Sequence, residues 1–134
     1  MQNKIEHLGI AVKNLKNSEK IFQDILGVKA YKKETVESEF VNTLFFKIGE
    51  SKIELLEATS ENSAIHKFIE KKGEGIHHIA FDVLDIYAEM KRLKELDYVL
   101  LNDEPKKGAD NKLICFMHPK SSNGVLIELC QEIK

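Results

Sequence analysis

The chain has 134 residues, 43% hydrophobic and 31% charged, which is long enough for one sizeable core, so a single domain over residues 1–134 is expected. Its 20 basic and 22 acidic side chains leave a net charge of -2, which offers no broad cationic footprint for nucleic acid or an anionic membrane. No apolar run approaches the roughly 20 residues of a membrane span, and the N-terminus runs into an alternating strand where a secretory leader would have a charged and then an apolar region, so a cytoplasmic protein is expected.

The first predicted element surrounds His7. Alternation there puts Leu8, Ile10 and Val12 on one strand face and Ile5, His7, Gly9 and Ala11 on the other. Asn17 or Ser18 can then cap a helix whose apolar positions are Ile21, Phe22, Ile25 and Leu26, with Gly27 suited to a left-handed stop. Strand-like runs follow at Lys29 to Glu34 and Val41 to Ile48, then a turn at Gly49-Glu50-Ser51 and a strand through Ile53-Glu54-Leu55. This first module, about 4–58, reads βαβββ. Ser63 to Lys72 has helical spacing at Ile65, Phe68 and Ile69 and ends at Gly73, which predicts a connecting helix over about 63–73.

The second module, about 75–131, repeats the order: a strand at Ile76 to Val83, a helix capped by Asp85 with Ile86, Met90 and Leu93 on one face, then strands near Tyr98 to Leu101, Leu113 to Met117 and Val125 to Cys130. Cys115 and Cys130 lack metal or redox spacing and read as small buried residues of a reducing compartment.

The two copies carry equivalent polar residues. His7 and His78 are 71 residues apart, and Glu54 and Glu128 are 74 apart, the longer closing turn of the second copy accounting for most of the difference. Ile53 with Leu55, and Ile127 with Leu129, face away from the glutamate between them, so both acids share the histidine face. A carboxylate facing into a concave sheet with no cation would pay several kcal/mol of desolvation or take up a proton. Any one of the four residues alone reads most simply as a polar-face residue; their joint occurrence points to a divalent-metal site. Gly9 and Ala80, two positions after the histidines, leave room beside it for a substrate. His77 has the opposite parity and reads as structural, while His66 and His118 match no ligand position.

The stretches His7-Leu8-Gly9-Ile10-Ala11-Val12, Gly73-Glu74-Gly75-Ile76-His77-His78 and above all Phe116-Met117-His118-Pro119-Lys120-Ser121 resemble the vicinal oxygen chelate superfamily, and within it the methylmalonyl-CoA epimerase family, over essentially the whole length. The resemblance implies an α+β fold in which two βαβββ modules form a cupped eight-stranded mixed sheet, with helices on the outer face. It implies metal ligands at His7, Glu54, His78 and Glu128, and one divalent ion per chain, with cobalt, manganese, nickel, zinc and iron all compatible with the donors. The implied reaction interconverts (2R)- and (2S)-methylmalonyl-CoA by proton abstraction at C2, which needs proton access from both faces of the carbon. Some relatives take a second glutamate base from the strand before the first closing turn, where this chain has Thr43 beside Asn42. Glu128 and Glu54 are therefore expected as the two bases, with Glu39 as a further candidate. Lys106, Lys107 and Lys120, in predicted loops of the second module, are candidate contacts for the CoA phosphates. The expected partners are a CoA thioester and a second copy of the chain in a homodimer, with neither nucleic acid nor membrane. A glyoxalase I-like isomerase and a metal-free small-molecule binding module are the alternatives within the same fold.

Overall fold

The computed structural model describes residues 2–134, with α+β architecture. Eight strands are hydrogen-bonded in the order β2-β3-β4-β1-β5-β8-β7-β6. The chain divides into two compact units, His7–His77 and the residues before His7 together with His78–Lys134, so β1 (Gln2–Ala11) contributes to both. No described helix is long and apolar enough to cross a membrane.

In the unit His7–His77, β1 pairs in parallel with β4 (Ser51–Ala58), which pairs antiparallel with β3 (Val41–Ile48) and through it with β2 (Lys32–Val36). The helix α1 (Leu15–Leu26) begins at Asn14, whose side chain accepts from the Asn17 amide, and ends at Gly27 with φ 71. The cap therefore lies earlier than the expected Asn17 or Ser18. This start sets the helix phase by Leu15, Ser18, Phe22 and Leu26, and leaves Ile21 and Ile25 53% and 69% exposed, contrary to the sequence expectation for those two. Val12, Leu15, Leu44, Phe46 and Leu55 form the core beneath α1, with Ile10, Phe22, Leu26 and Ile53 packed on it. Each such side chain contributes roughly 1.5–3 kcal/mol through burial. The connecting helix α2 (Ala64–Lys72), capped by Ser63 and closed at Gly73 as expected, packs on the opposite sheet face. Its Ile65, Phe68 and Ile69 join Ala11, Val41 and Leu56, residues with the strand parity of His7, Thr43 and Glu54.

In the other unit, β5 (Gly75–Val83) pairs in parallel with β8 (Ile127–Glu132), which pairs with β7 (Lys112–Met117). The helix α3 (Ile86–Glu95) is capped by Asp85 and buries Ile86, Met90 and Leu93 against Val83, Cys115, Met117 and Leu129, as its spacing predicts. The expected strand near Tyr98 to Leu101 is reduced to one bridge, Leu100 with Met117, and the edge strand β6 is Lys106–Lys107. Asp103-Glu104-Pro105 interrupts the edge; proline has no amide hydrogen to give a ladder.

The duplication extends to the helix starts. Glu57 Oε2 accepts from the Leu15 amide at 2.9 Å, and Gln131 Oε1 accepts from the Ile86 amide at 2.7 Å. Each residue lies three positions beyond its module's expected ligand glutamate.

Candidate functional site

Each unit builds its own histidine–carboxylate pair. In one, the parallel β1–β4 ladder sets Gly9 beside Glu54 and Leu8 beside Ile53. Alternation turns Ile53 and Leu55 toward α1 and leaves Glu54 on the face of His7, whose Nδ1 is 3.1 Å from Glu54 Oε2. In the other, the β5–β8 ladder sets Ala80 beside Glu128, Ile127 and Leu129 join the α3 core, and His78 Nε2 lies 3.2 Å from Glu128 Oε1. All four side chains are buried, as are Gly9 and Ala80, the two small residues expected to leave space.

The sequence reading missed the aromatic floor of each pair. Phe45 is the cross-strand partner of Glu54, and Phe116 that of Glu128. Phe116 meets the His78 ring edge-on at 5.7 Å between centroids. The 71-residue offset between these phenylalanines equals that of the histidines, a signal readable from sequence once the ladder register is known. A buried Glu6–Lys112 pair, 3.9 Å apart, was also missed, because a charged residue before His7 looks like an ordinary edge position. Burial, followed by the negative charge of Glu128 and Glu6, pushes the Cys130 thiol far up, and burial raises that of Cys115, so the thiolate form of both is disfavoured; both cysteines are buried, as expected.

Among the described residues, His7 with Glu54 in one unit and His78 with Glu128 in the other offer buried imidazole and carboxylate donors of the kind a metal ion takes. The donor chemistry fits a divalent cation: imidazole and carboxylate suit the borderline transition ions, and carboxylates only 5% exposed call for positive charge.

The remaining candidates fall elsewhere. His77 packs edge-on against Phe68 at 5.0 Å, His66 faces Glu70 one helical turn away, and His118 Nδ1 accepts from the Lys120 amide in the turn Pro119–Ser121. Lys106 and Lys107 are in strand β6 and not in a loop; facing Ile114 and Leu113, they point to opposite sides of the sheet and cannot act as a pair. Lys120 is exposed in its 3-10 turn. Thr43 is buried on the Glu54 face, while Asn42 turns to the helix side and donates to Glu57 Oε1 at 3.1 Å. Glu39 is exposed in the short turn Glu37–Glu39.

Residues 6–116 match the family model of the Glyoxalase/Bleomycin resistance protein/Dioxygenase superfamily, and the chain belongs to that superfamily. The sequence is 39% identical over 133 residues to the ethylmalonyl-CoA/methylmalonyl-CoA epimerase of Cereibacter sphaeroides, covering 98% of this chain and 99% of that protein. It is 40% identical over 129 residues to the protein YqjC of Bacillus subtilis, covering 96% of this chain and 92% of the relative. Among solved structures, a variant of Streptomyces coelicolor methylmalonyl-CoA epimerase in complex with 2-nitronate-propionyl-CoA superimposes with a TM-score of 0.96 at 34% identity, all of both chains being covered.

Proposed function

We propose that the protein is a metal-dependent epimerase that interconverts (2R)- and (2S)-methylmalonyl-CoA. The observation that carries this reading is the end-to-end match to epimerases acting on that class of thioester. The duplicated, buried histidine–carboxylate pairs support it, because the chemistry requires two proton-transfer groups related across one carbon. In this reading both units work as one domain, and His7, Glu54, His78 and Glu128 hold one divalent ion.

A hydrogen between a thioester and a carboxylate is weakly acidic, and its removal places negative charge on the thioester oxygen. A bound divalent ion supplies positive charge against that oxygen. Glu128 takes the proton from one face of C2, and Glu54, its counterpart in the first unit, delivers one to the other; a placed base of this kind contributes roughly 100- to 10,000-fold. Gly9 and Ala80 leave the space beside the carboxylates that an acyl group needs, and Phe45 and Phe116 hold water back from them. Lys120 and Lys106 remain candidate contacts for the CoA phosphates, Lys107 being turned to the other face. A cytoplasmic setting accords with two buried free thiols, and homodimeric assembly is part of the same reading.

The test is turnover of methylmalonyl-CoA in deuterated water, with metal analysis of the purified protein beside it. Deuterium entering C2 at catalytic rates, its loss on chelation and its return with a divalent ion are the expected results. Turnover of a glutathione hemithioacetal in place of the CoA ester would make the protein a glyoxalase I-like isomerase. Protein purified without metal that binds the thioester and exchanges nothing would make it a binding module.

A further inference from the structure

The unit that contains His78 carries a groove that takes no part in the proton transfers. It is open, holds about 440 Å³, a volume in the range of small-ligand sites, and runs between α3 and the segment that leads into β6. From α3 come Tyr87, Lys91 and Lys94, which share one helix face at spacings of four and three, with Met90 beside them. The facing wall is Asp103, Glu104 and Pro105. Because α3 packs on Cys115, Met117 and Leu129, the groove lies on the helix side of the sheet, opposite the Glu128 face.

Both walls are held by contacts of their own. Lys94 Nζ donates to the Asp103 carbonyl at 3.0 Å and ties the segment to the helix, while Asn102 Oδ1 accepts from the Phe116 amide at 3.0 Å and ties it to β7. The groups that converge on the groove are nevertheless unengaged. Among the described residues, the Tyr87 hydroxyl, the Lys91 ammonium and the Asp103 and Glu104 carboxylates have no hydrogen-bond or ion-pair partner, and Tyr87 is 61% exposed. The charges are also sorted: both ammonium groups come from α3, and two of the three carboxylates stand on the facing wall, Glu95 being the last residue of α3. A ligand that satisfies both walls needs a flat apolar body, a hydrogen-bond donor on one side and negative charge on the other. An adenine nucleotide has this pattern: its ring stacks on Tyr87, its exocyclic amine donates to a carboxylate, and its phosphate takes Lys91 and Lys94.

We propose that the groove between α3 and the Asp103–Pro105 segment binds an adenine nucleotide. The segment leads directly into β6, the edge strand, so an acyl group on the Glu128 side and a nucleotide on the α3 side need only be joined around that edge. That the nucleotide is the head of a CoA substrate rests on the proposed function; the groove does not.

The test uses the full chain and the variants Lys91→Gln and Tyr87→Ala, both at exposed positions, with Lys16→Gln on α1 as control, each checked for native circular dichroism. Binding of adenosine 3′,5′-bisphosphate and of its guanosine counterpart is measured by calorimetry, and KM is measured for methylmalonyl-CoA and for methylmalonyl-pantetheine, which lacks the nucleotide. Lys91→Gln is expected to weaken binding of the adenosine compound about tenfold and Tyr87→Ala at least about fivefold, with Lys16→Gln matching the wild type. The guanosine compound, which presents an acceptor where adenine presents its amine, is expected to bind about tenfold more weakly. A matching rise in KM confined to the CoA ester makes the nucleotide part of the substrate. Unchanged KM for both esters, with binding of the bisphosphate still weakened, makes it a separate ligand of the same groove. Wild-type protein that binds no nucleotide, variants within twofold of wild type, or equal affinity for the two bisphosphates would overturn the proposal and leave the epimerase reading intact. Binding with the expected losses in a protein that exchanges no deuterium would overturn the epimerase reading and leave the groove standing.

Discussion

Replacing Glu128 by glutamine separates the two proton-transfer roles. The carboxylate is 5% exposed, with Oε1 3.2 Å from His78 Nε2, so the isosteric amide fits the same space and can donate to that nitrogen. The cost to folding should be small, within about 1 kcal/mol, because a neutral amide needs no compensating charge and the contact survives. The chemical cost should be large, since an amide cannot accept the C2 proton: roughly 100- to 10,000-fold in epimerisation. If Glu54 serves the opposite face, the epimer whose hydrogen faces Glu54 still exchanges deuterium in the variant, while the other epimer does not. Glu54→Gln should give the mirror result. The assay is mass-spectrometric deuterium incorporation from each pure epimer, with metal content measured alongside. Wild-type epimerisation by the metal-loaded Glu128→Gln protein, or equal loss of exchange from both epimers with metal retained, would refute the reasoning.

Other consequences concern stability and reactivity. Cys115 and Cys130 are buried and burial raises both thiols, so native protein at pH 8 should react with a thiol reagent at least about 100-fold more slowly than unfolded protein, and prompt labelling of either cysteine would contradict their packing. Burial alone would raise the Glu89 carboxyl, but hydrogen bonding and charge, those of Arg92 among them, outweigh it and hold the carboxyl below its ordinary value. The stabilisation is therefore present above about pH 4.5 and is lost as pH falls through the lower folded value. With the Arg92 side chain 47% exposed, solvent screening limits the pair, so Arg92→Ala should cost about 0.5–1 kcal/mol in urea unfolding at pH 7, with the gap to wild type narrowing on acidification; a gap unchanged with pH would exclude Glu89 as the source. Asn14→Ala removes the cap of α1 and should cost about 1 kcal/mol, read as a thermal midpoint lowered by about 3 °C, whereas Asn17→Ala should do far less because Asn17 contributes its backbone amide.

Much of the fold was legible because the signals were local and occurred twice. Alternation around His7 and His78, the glycine stops at Gly27 and Gly73, and the Asp85 cap are decided by a residue and its near neighbours, and each matched its element. Parity alone put Glu54 and Glu128 on the histidine face, since a period of two leaves no other choice once Ile53, Leu55, Ile127 and Leu129 seek the helices. The edge strand of the second module was misplaced because an edge needs only one ladder, and its pairing with β7 is split, Leu100 with Met117 and Lys106 with Ile114, on either side of a segment that contains Pro105.

The sequence by itself determined which residue types stand at equivalent places in two copies, because duplication and alternation are written along the chain. Only the tertiary structure decided which side chains became neighbours across strands: Phe45 beside Glu54, Phe116 beside Glu128, Lys47 beside Lys52, and Lys106 turned away from Lys107. Strand register is a long-range agreement between segments, set by which pairing buries the most apolar surface, and no window of sequence contains both partners.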